Sequence, residues 1–160
     1  MARTQMKCAY KYCKHGGTVE KDDAIRVNTQ YWHPDCLKEK NDMLAVIDLF
    51  KEQVDAFPIF TQLRKIVNDI VWNHGVDAGF LLFALQYAIK SGYPHSKNPA
   101  WLYYVVKDRY ALEAWKRQQA ANAKTDYKDY LSEQEVKPEI PQDQPSFIPP
   151  KATSFEDILR

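Results

Sequence analysis

Cys8-Ala9-Tyr10-Lys11-Tyr12-Cys13 and, nineteen residues further on, His33-Pro34-Asp35-Cys36 hold all three cysteines of the chain and one of its four histidines. Two short-spaced pairs of sulfur and nitrogen donors are the usual way to supply a closed, tetrahedral zinc site. The spacing therefore points to one structural Zn2+ held by Cys8, Cys13, His33 and Cys36. The first pair suits a knuckle. The Gly16-Gly17 turn and the β-favouring run Ala24, Ile25, Val27, Thr29, Tyr31 and Trp32 suit a small hairpin behind it. His33 and Cys36 then fall on one face at the start of a helix expected from Pro34 to Phe57. Two other readings stay open: thiols that merely fill a small core, and His15 standing in for Cys8 or Cys13 as a ligand. A catalytic zinc is disfavoured, because four donors leave no open position and the His-x-Glu dyad of zinc deaminases is missing. About forty residues are too few to bury a core, so the metal would supply the stability.

Knuckle, hairpin and ligand-bearing helix together make a treble-clef arrangement for residues 1–40. Beyond it the pattern turns helical. Met43, Ile47, Phe50, Val54 and Phe57 step by four and three along one helix face. Pro58 ends that helix or opens the next, in which Ile59, Leu63, Ile66, Val67, Ile70 and His74 share a face up to Gly75. Asp77 is a good N-cap for a third helix from Ala78 to Lys90, apolar nearly all round and hence central. Asn98-Pro99 caps and starts a fourth, expected from Pro99 to Ala121. The fold class expected is mainly α with a small β-hairpin: a treble-clef finger (1–40), a helical bundle (41–122) and an acidic, proline-rich, disordered tail (123–160).

The net charge of +1 over 160 residues argues against a uniformly basic, histone-like binder. Charge is nevertheless uneven: residues 1–40 carry eight Lys/Arg against five Asp/Glu, 41–56 one against four, 57–120 eight against four, and 121–160 five against eight. A mildly basic body with an acidic tail fits an anionic partner or an internal screen. The most apolar run, Gly79 to Ala88, is far short of the ~18–20 residues that span a bilayer. No signal peptide is visible, and an odd number of cysteines points to a reducing compartment, so a cytoplasmic protein with no membrane partner is expected.

Enzyme signatures are missing. The chain has five glycines and neither a phosphate-cradling loop nor a nucleophile elbow, so neither catalysis nor a small-molecule substrate is expected. His74, near Asp69 and Asp77, reads as a helix-terminal residue, and His95 has no evident partner. The fourth helix is more informative. On a continuous helix Tyr103, Lys107, Tyr110, Ala114 and Arg117 share one side, with Lys116 beside it and Arg64-Lys65 extending it from the second helix. Rings interleaved with cations are what a nucleic-acid surface uses, although a solvated helix face gives the same pattern. In the tail, Pro138, Pro141, Pro145, Pro149 and Pro150 oppose regular structure. Phe155, Ile158 and Leu159 would share a face if the end folded onto a partner, with Ser154 as N-cap.

Around Tyr31-Trp32-His33-Pro34-Asp35-Cys36 the chain resembles the treble-clef halves of LIM domains and the zinc fingers of poly(ADP-ribose) polymerases. It departs from them in its four-residue first interval and in lacking the second LIM site. The resemblance implies a fold more than a partner, since LIM domains mostly bind proteins and the polymerase fingers bind DNA breaks. From Phe80 to Trp115, with its Trp115-Lys116-Arg117 step, the chain is similar to the C-terminal module of the DnaD replication-initiation family. It is also similar in style to small phage and prophage accessory proteins. The resulting expectation is a zinc-stabilised nucleic-acid-binding accessory protein for replication, recombination or transcription, its partner being nucleic acid (DNA foremost) or a protein of those processes. The alternative is a protein–protein adaptor using the zinc module and the tail.

Overall fold

The computed structural model describes residues 4–93 and 96–134. Of these, residues 4–93 and 96–122 belong to one compact unit and residues 123–134 to a second. The first unit opens with two antiparallel strand pairs rather than one hairpin. β1 (Gln5–Lys7) pairs with β2 (Thr18–Glu20), and β3 (Ile25–Val27) with β4 (Gln30–Trp32). The extra pair exists because Gly16 and Gly17 both take positive φ, 80° and 78°, and turn the chain back so that β2 meets the segment before Cys8. A bridge between Cys8 and Tyr31, with the Ala9 N–H donating to the Tyr31 carbonyl at 2.9 Å, joins the two pairs.

α1 (Pro34–Gln53) starts on a proline, whose fixed φ suits a first helical turn, and buries Cys36, Met43, Val46, Ile47 and Phe50. It stops at Gln53, short of the expected Phe57. Pro58 disfavours helical geometry at residue 57, and the Asp55 carboxylate accepts the Phe57 N–H at 3.2 Å in a competing local turn. Phe57 is accordingly 91% exposed. α2 (Phe60–Asn68) runs into a π-helical turn, Asp69–Asn73, where the His74 N–H donates to the Asp69 carbonyl at 3.0 Å. α3 (Ala78–Lys90) has the bounds its sequence indicates, and Asp77 caps it by accepting the Phe80 N–H at 2.9 Å. α3 packs along α1 and against α4 (Leu102–Val105), which follows a 3-10 turn at Pro99–Trp101.

The expected continuous fourth helix is broken. α5 (Arg109–Gln134) starts anew after Val106-Lys107-Asp108. Asp108 explains the break: its carboxylate accepts the Tyr110 N–H at 2.8 Å, an N-terminal capping bond that a mid-helix aspartate would forgo. Two β-branched residues just before it, Val105 and Val106, weaken the helix they would continue. α5 also runs past the expected end at Ala121, so residues 123–134, assigned by sequence to the tail, are helical. Residues 135–160, with the five tail prolines and Phe155, Ile158 and Leu159, lie outside the described residues.

Two apolar clusters result. The larger joins Val46 and Phe50 of α1, Leu63 and Val67 of α2, Leu81 and Leu85 of α3, and Leu102 of α4. The smaller joins Cys8, Tyr10, Trp32 and Cys36. Trp72, in the π-helical turn, packs against both.

Candidate metal centre and the aromatic junction beside it

The knuckle brings Cys8 and Cys13 to the point where β4 hands over to α1. Cys13 follows a turn closed by its N–H to the Tyr10 carbonyl, 3.2 Å, and His33 and Cys36 occupy the cap and first turn of α1. The donor atoms of Cys8, Cys13, His33 and Cys36 all lie within 4.8 Å of one another. Among the described residues this is the one group of three or more such side chains able to hold a metal ion. His33 Nδ1 is 3.4 Å from Cys13 Sγ and 3.8 Å from Cys36 Sγ. A tetrahedron with bonds of about 2.3 Å to sulfur and 2.05 Å to nitrogen has N–S edges of about 3.6 Å, so these separations match a single shared cation.

The electrostatics ask for one. Burial, aided by the Cys13 sulfur, pushes the Cys36 thiol up to about 12. At Cys13 burial also acts upward, but the backbone N–H groups of His15 and Gly17 outweigh it and the thiol is lowered; the His15 N–H lies 3.4 Å from Cys13 Sγ. Neighbouring thiolates repel, and a cation that all of them face relieves that repulsion. His15 stands outside the group. Its ring is 4.6 Å from that of His33, and its Nε2 is 3.8 Å from the Asp35 carboxylate.

Next to this centre is a ladder of rings that the sequence reading does not identify. Tyr12 stacks on Trp72 with centroids 3.4 Å apart and planes at 21°. Trp72 Nε1 donates to the Tyr10 hydroxyl at 2.9 Å, which itself donates to Met43 Sδ at 3.7 Å. Burial holds the Tyr10 phenol up at about 12, so it keeps its proton. Tyr10 also packs against Trp32, and Lys40 Nζ sits 4.4 Å from the centre of the Trp32 ring. Trp32 Nε1 is buried with no hydrogen-bond partner among the described residues, a cost of about 1–3 kcal/mol set against the burial of the whole indole. The available sequence signal is Tyr-Lys-Tyr inside the first cysteine interval.

Two clefts share Tyr12, Asn68 and Trp72 as a common wall. One, of about 310 Å³, is bordered by Lys11 and Lys40; the other, of about 490 Å³, by Arg64 and Lys65. Arg64 and Lys65, two of the residues expected to contact nucleic acid, are therefore brought to the ring ladder. The others are placed elsewhere. Tyr103 is in α4, Lys107 in the turn after it, and Tyr110, Lys116 and Arg117 on α5, so they do not form one helix face. The Tyr103 hydroxyl donates to the Asp69 carboxylate at 2.5 Å, and His74 Nε2 lies 3.2 Å from the same carboxylate. Tyr104 and Tyr110, 73% and 69% exposed, border a separate open cleft with Tyr93. No helix among the described residues is long and apolar enough to cross a membrane. Comparison with protein-family models, curated proteins and solved structures finds no match to this chain.

Proposed function

We propose that this chain is a zinc-stabilised nucleic-acid-binding accessory protein of the kind that serves replication, recombination or transcription. The observation that carries the reading is the cation-bordered ring ladder: Tyr12 stacked on Trp72, with Lys11 and Lys40 on one side and Arg64 and Lys65 on the other. Rings supply stacking surface and the cations neutralise phosphates, the two contributions such interfaces need. Zinc is the ion that suits three thiolates and one imidazole at tetrahedral spacing, and its role is structural, since four protein ligands leave no position for water or substrate. Strand pairs followed by a helix bearing His33 and Cys36 favour the treble-clef likeness. Three unpaired cysteines fit a reducing compartment such as the cytoplasm.

Salt dependence tests the reading. Labelled DNA should bind the metal-loaded chain with an affinity that falls steeply as salt rises, and Arg64→Glu with Lys65→Glu should weaken it at least about tenfold while leaving the melting temperature unchanged. Lys107→Glu with Arg117→Glu measures what the α5 surface adds. Absence of salt-sensitive binding would favour the adaptor reading, for which one observation speaks: Phe57 and Ile59 in the α1–α2 connection and Phe60 at the start of α2 are all exposed.

A further inference from the structure

We infer that the ring ladder takes unpaired nucleotides, one base stacking at Tyr12 while the strand passes from Lys40 to Arg64; this rests on the nucleic-acid reading above. The rings present faces, not only edges, to the clefts that they border. They line two open clefts between the knuckle and the helices: Tyr10 and Trp32, beside Met43, in the smaller, Tyr12 and Trp72 in the wall of both. Paired bases in a duplex have both faces covered by their neighbours and offer only edges, whereas an unpaired base can enter such a cleft face-on. Tyr12 is the ring placed to receive it. Trp72 stacks on one of its faces, and 39% of its surface stays exposed. A volume of about 310 Å³ lies at the small end of ligand clefts and suits one planar ring system rather than a folded peptide.

Charge follows the same path. Lys11 Nζ lies 5.5 Å from the Tyr12 ring centre and Lys40 Nζ 4.4 Å from that of Trp32, so cations accompany the rings on the knuckle side. Arg64 and Lys65 continue them on α2. Among the described residues Asp69 is the one carboxylate lining either cleft, and hydrogen bonds from Tyr103 and Asn73 already engage it. Asn68, in the shared wall, can both donate and accept toward a base edge. Because every base has a π-face, stacking of this kind is tolerant of sequence.

The test is fluorescence anisotropy with the full metal-loaded chain at about 50 mM salt. The probes are an end-labelled single-stranded DNA of about 20 nucleotides, the same sequence as RNA, and the matching DNA duplex. Single strands should bind at least about tenfold more tightly than the duplex, and equal affinity for DNA and RNA would mean that the sugar is not read. Tyr12→Ala should lose about tenfold for the single strand and little for the duplex, and Tyr12→Trp should restore it. If Tyr12→Ala loosens the fold, Lys40→Glu gives the same discrimination without removing a ring. Equal or tighter duplex binding that Arg64→Glu with Lys65→Glu abolishes would leave the nucleic-acid reading standing and overturn this one. No binding to any of the three probes would overturn both.

Discussion

Trp72 Nε1 donates a 2.9 Å hydrogen bond to the hydroxyl of Tyr10, a residue 62 positions earlier in the chain. That bond ties the knuckle carrying Cys8 and Cys13 to the π-helical turn after α2, and Tyr12 covers it by stacking on the same indole. Trp72 thus joins the candidate metal centre to the helical core, beside the link that Tyr10 makes to Met43 of α1. Tyr10→Phe removes the acceptor and should cost about 1–3 kcal/mol, because it leaves a part-buried indole N–H unsatisfied. Chemical denaturation should show a lower midpoint at an unchanged slope. An unshifted midpoint would mean that water replaces the hydroxyl at no cost.

Elemental analysis of protein prepared without chelator should give one zinc per chain, and Cys36→Ser should bind none. Removing the metal should shift tryptophan emission to longer wavelength as Trp32 and Trp72 lose their cover. Most of the helical circular dichroism should persist, since the core built on Phe50, Leu63 and Leu81 contains no ligand. Complete loss of helix on chelation would show that the helical core depends on the metal throughout.

Asp69 provides a pH dependence. The Tyr103 hydroxyl, then Asn73 and His74, hold its carboxyl below the usual range. A depressed carboxyl contributes stability that is fully present above its unfolded value, about 3.9, and is lost as pH falls through its folded value. The difference in melting temperature between the native chain and Tyr103→Phe should therefore be constant from about pH 7 to 5 and narrow below about pH 4. Metal loss in acid affects both proteins and drops out of the comparison. A gap that stays constant down to pH 2 would rule out a charge-assisted bond.

Asp108→Ala should destabilise α5 by about 1 kcal/mol, the usual worth of an N-cap. Removing the competing side chain also lets Val105 to Arg109 approach a continuous helix. Amide exchange at Arg109, Tyr110 and Ala111 reports the first effect, and faster exchange confined to those residues is expected.

Legibility in the sequence follows the range of the interactions. The ligand group is local chemistry, paired donors at short spacing, and Cys8, Cys13, His33 and Cys36 do converge. α3 is also local: a cap at Asp77 and an unbroken apolar run lead to one answer, and its bounds are Ala78 and Lys90. Where two local signals compete, periodicity misleads. Met43 to Phe57 keeps its step although Asp55 and Pro58 end the helix, and the Tyr103–Arg117 pattern continues across a break that Asp108 makes.

The sequence by itself thus determined which residues can hold a metal and where α3 runs, because paired donors, a cap and an unbroken apolar run each act over a few residues. The tertiary structure alone decided which rings meet. Tyr12 and Trp72 lie sixty residues apart with nothing in their spacing to connect them. Their stacking needs Gly16 and Gly17 to turn the knuckle, the Cys8–Tyr31 bridge to set it against β4, and a π-helical turn to bring Trp72 against it. Each is a small geometric effect, and only the folded chain adds them into one surface.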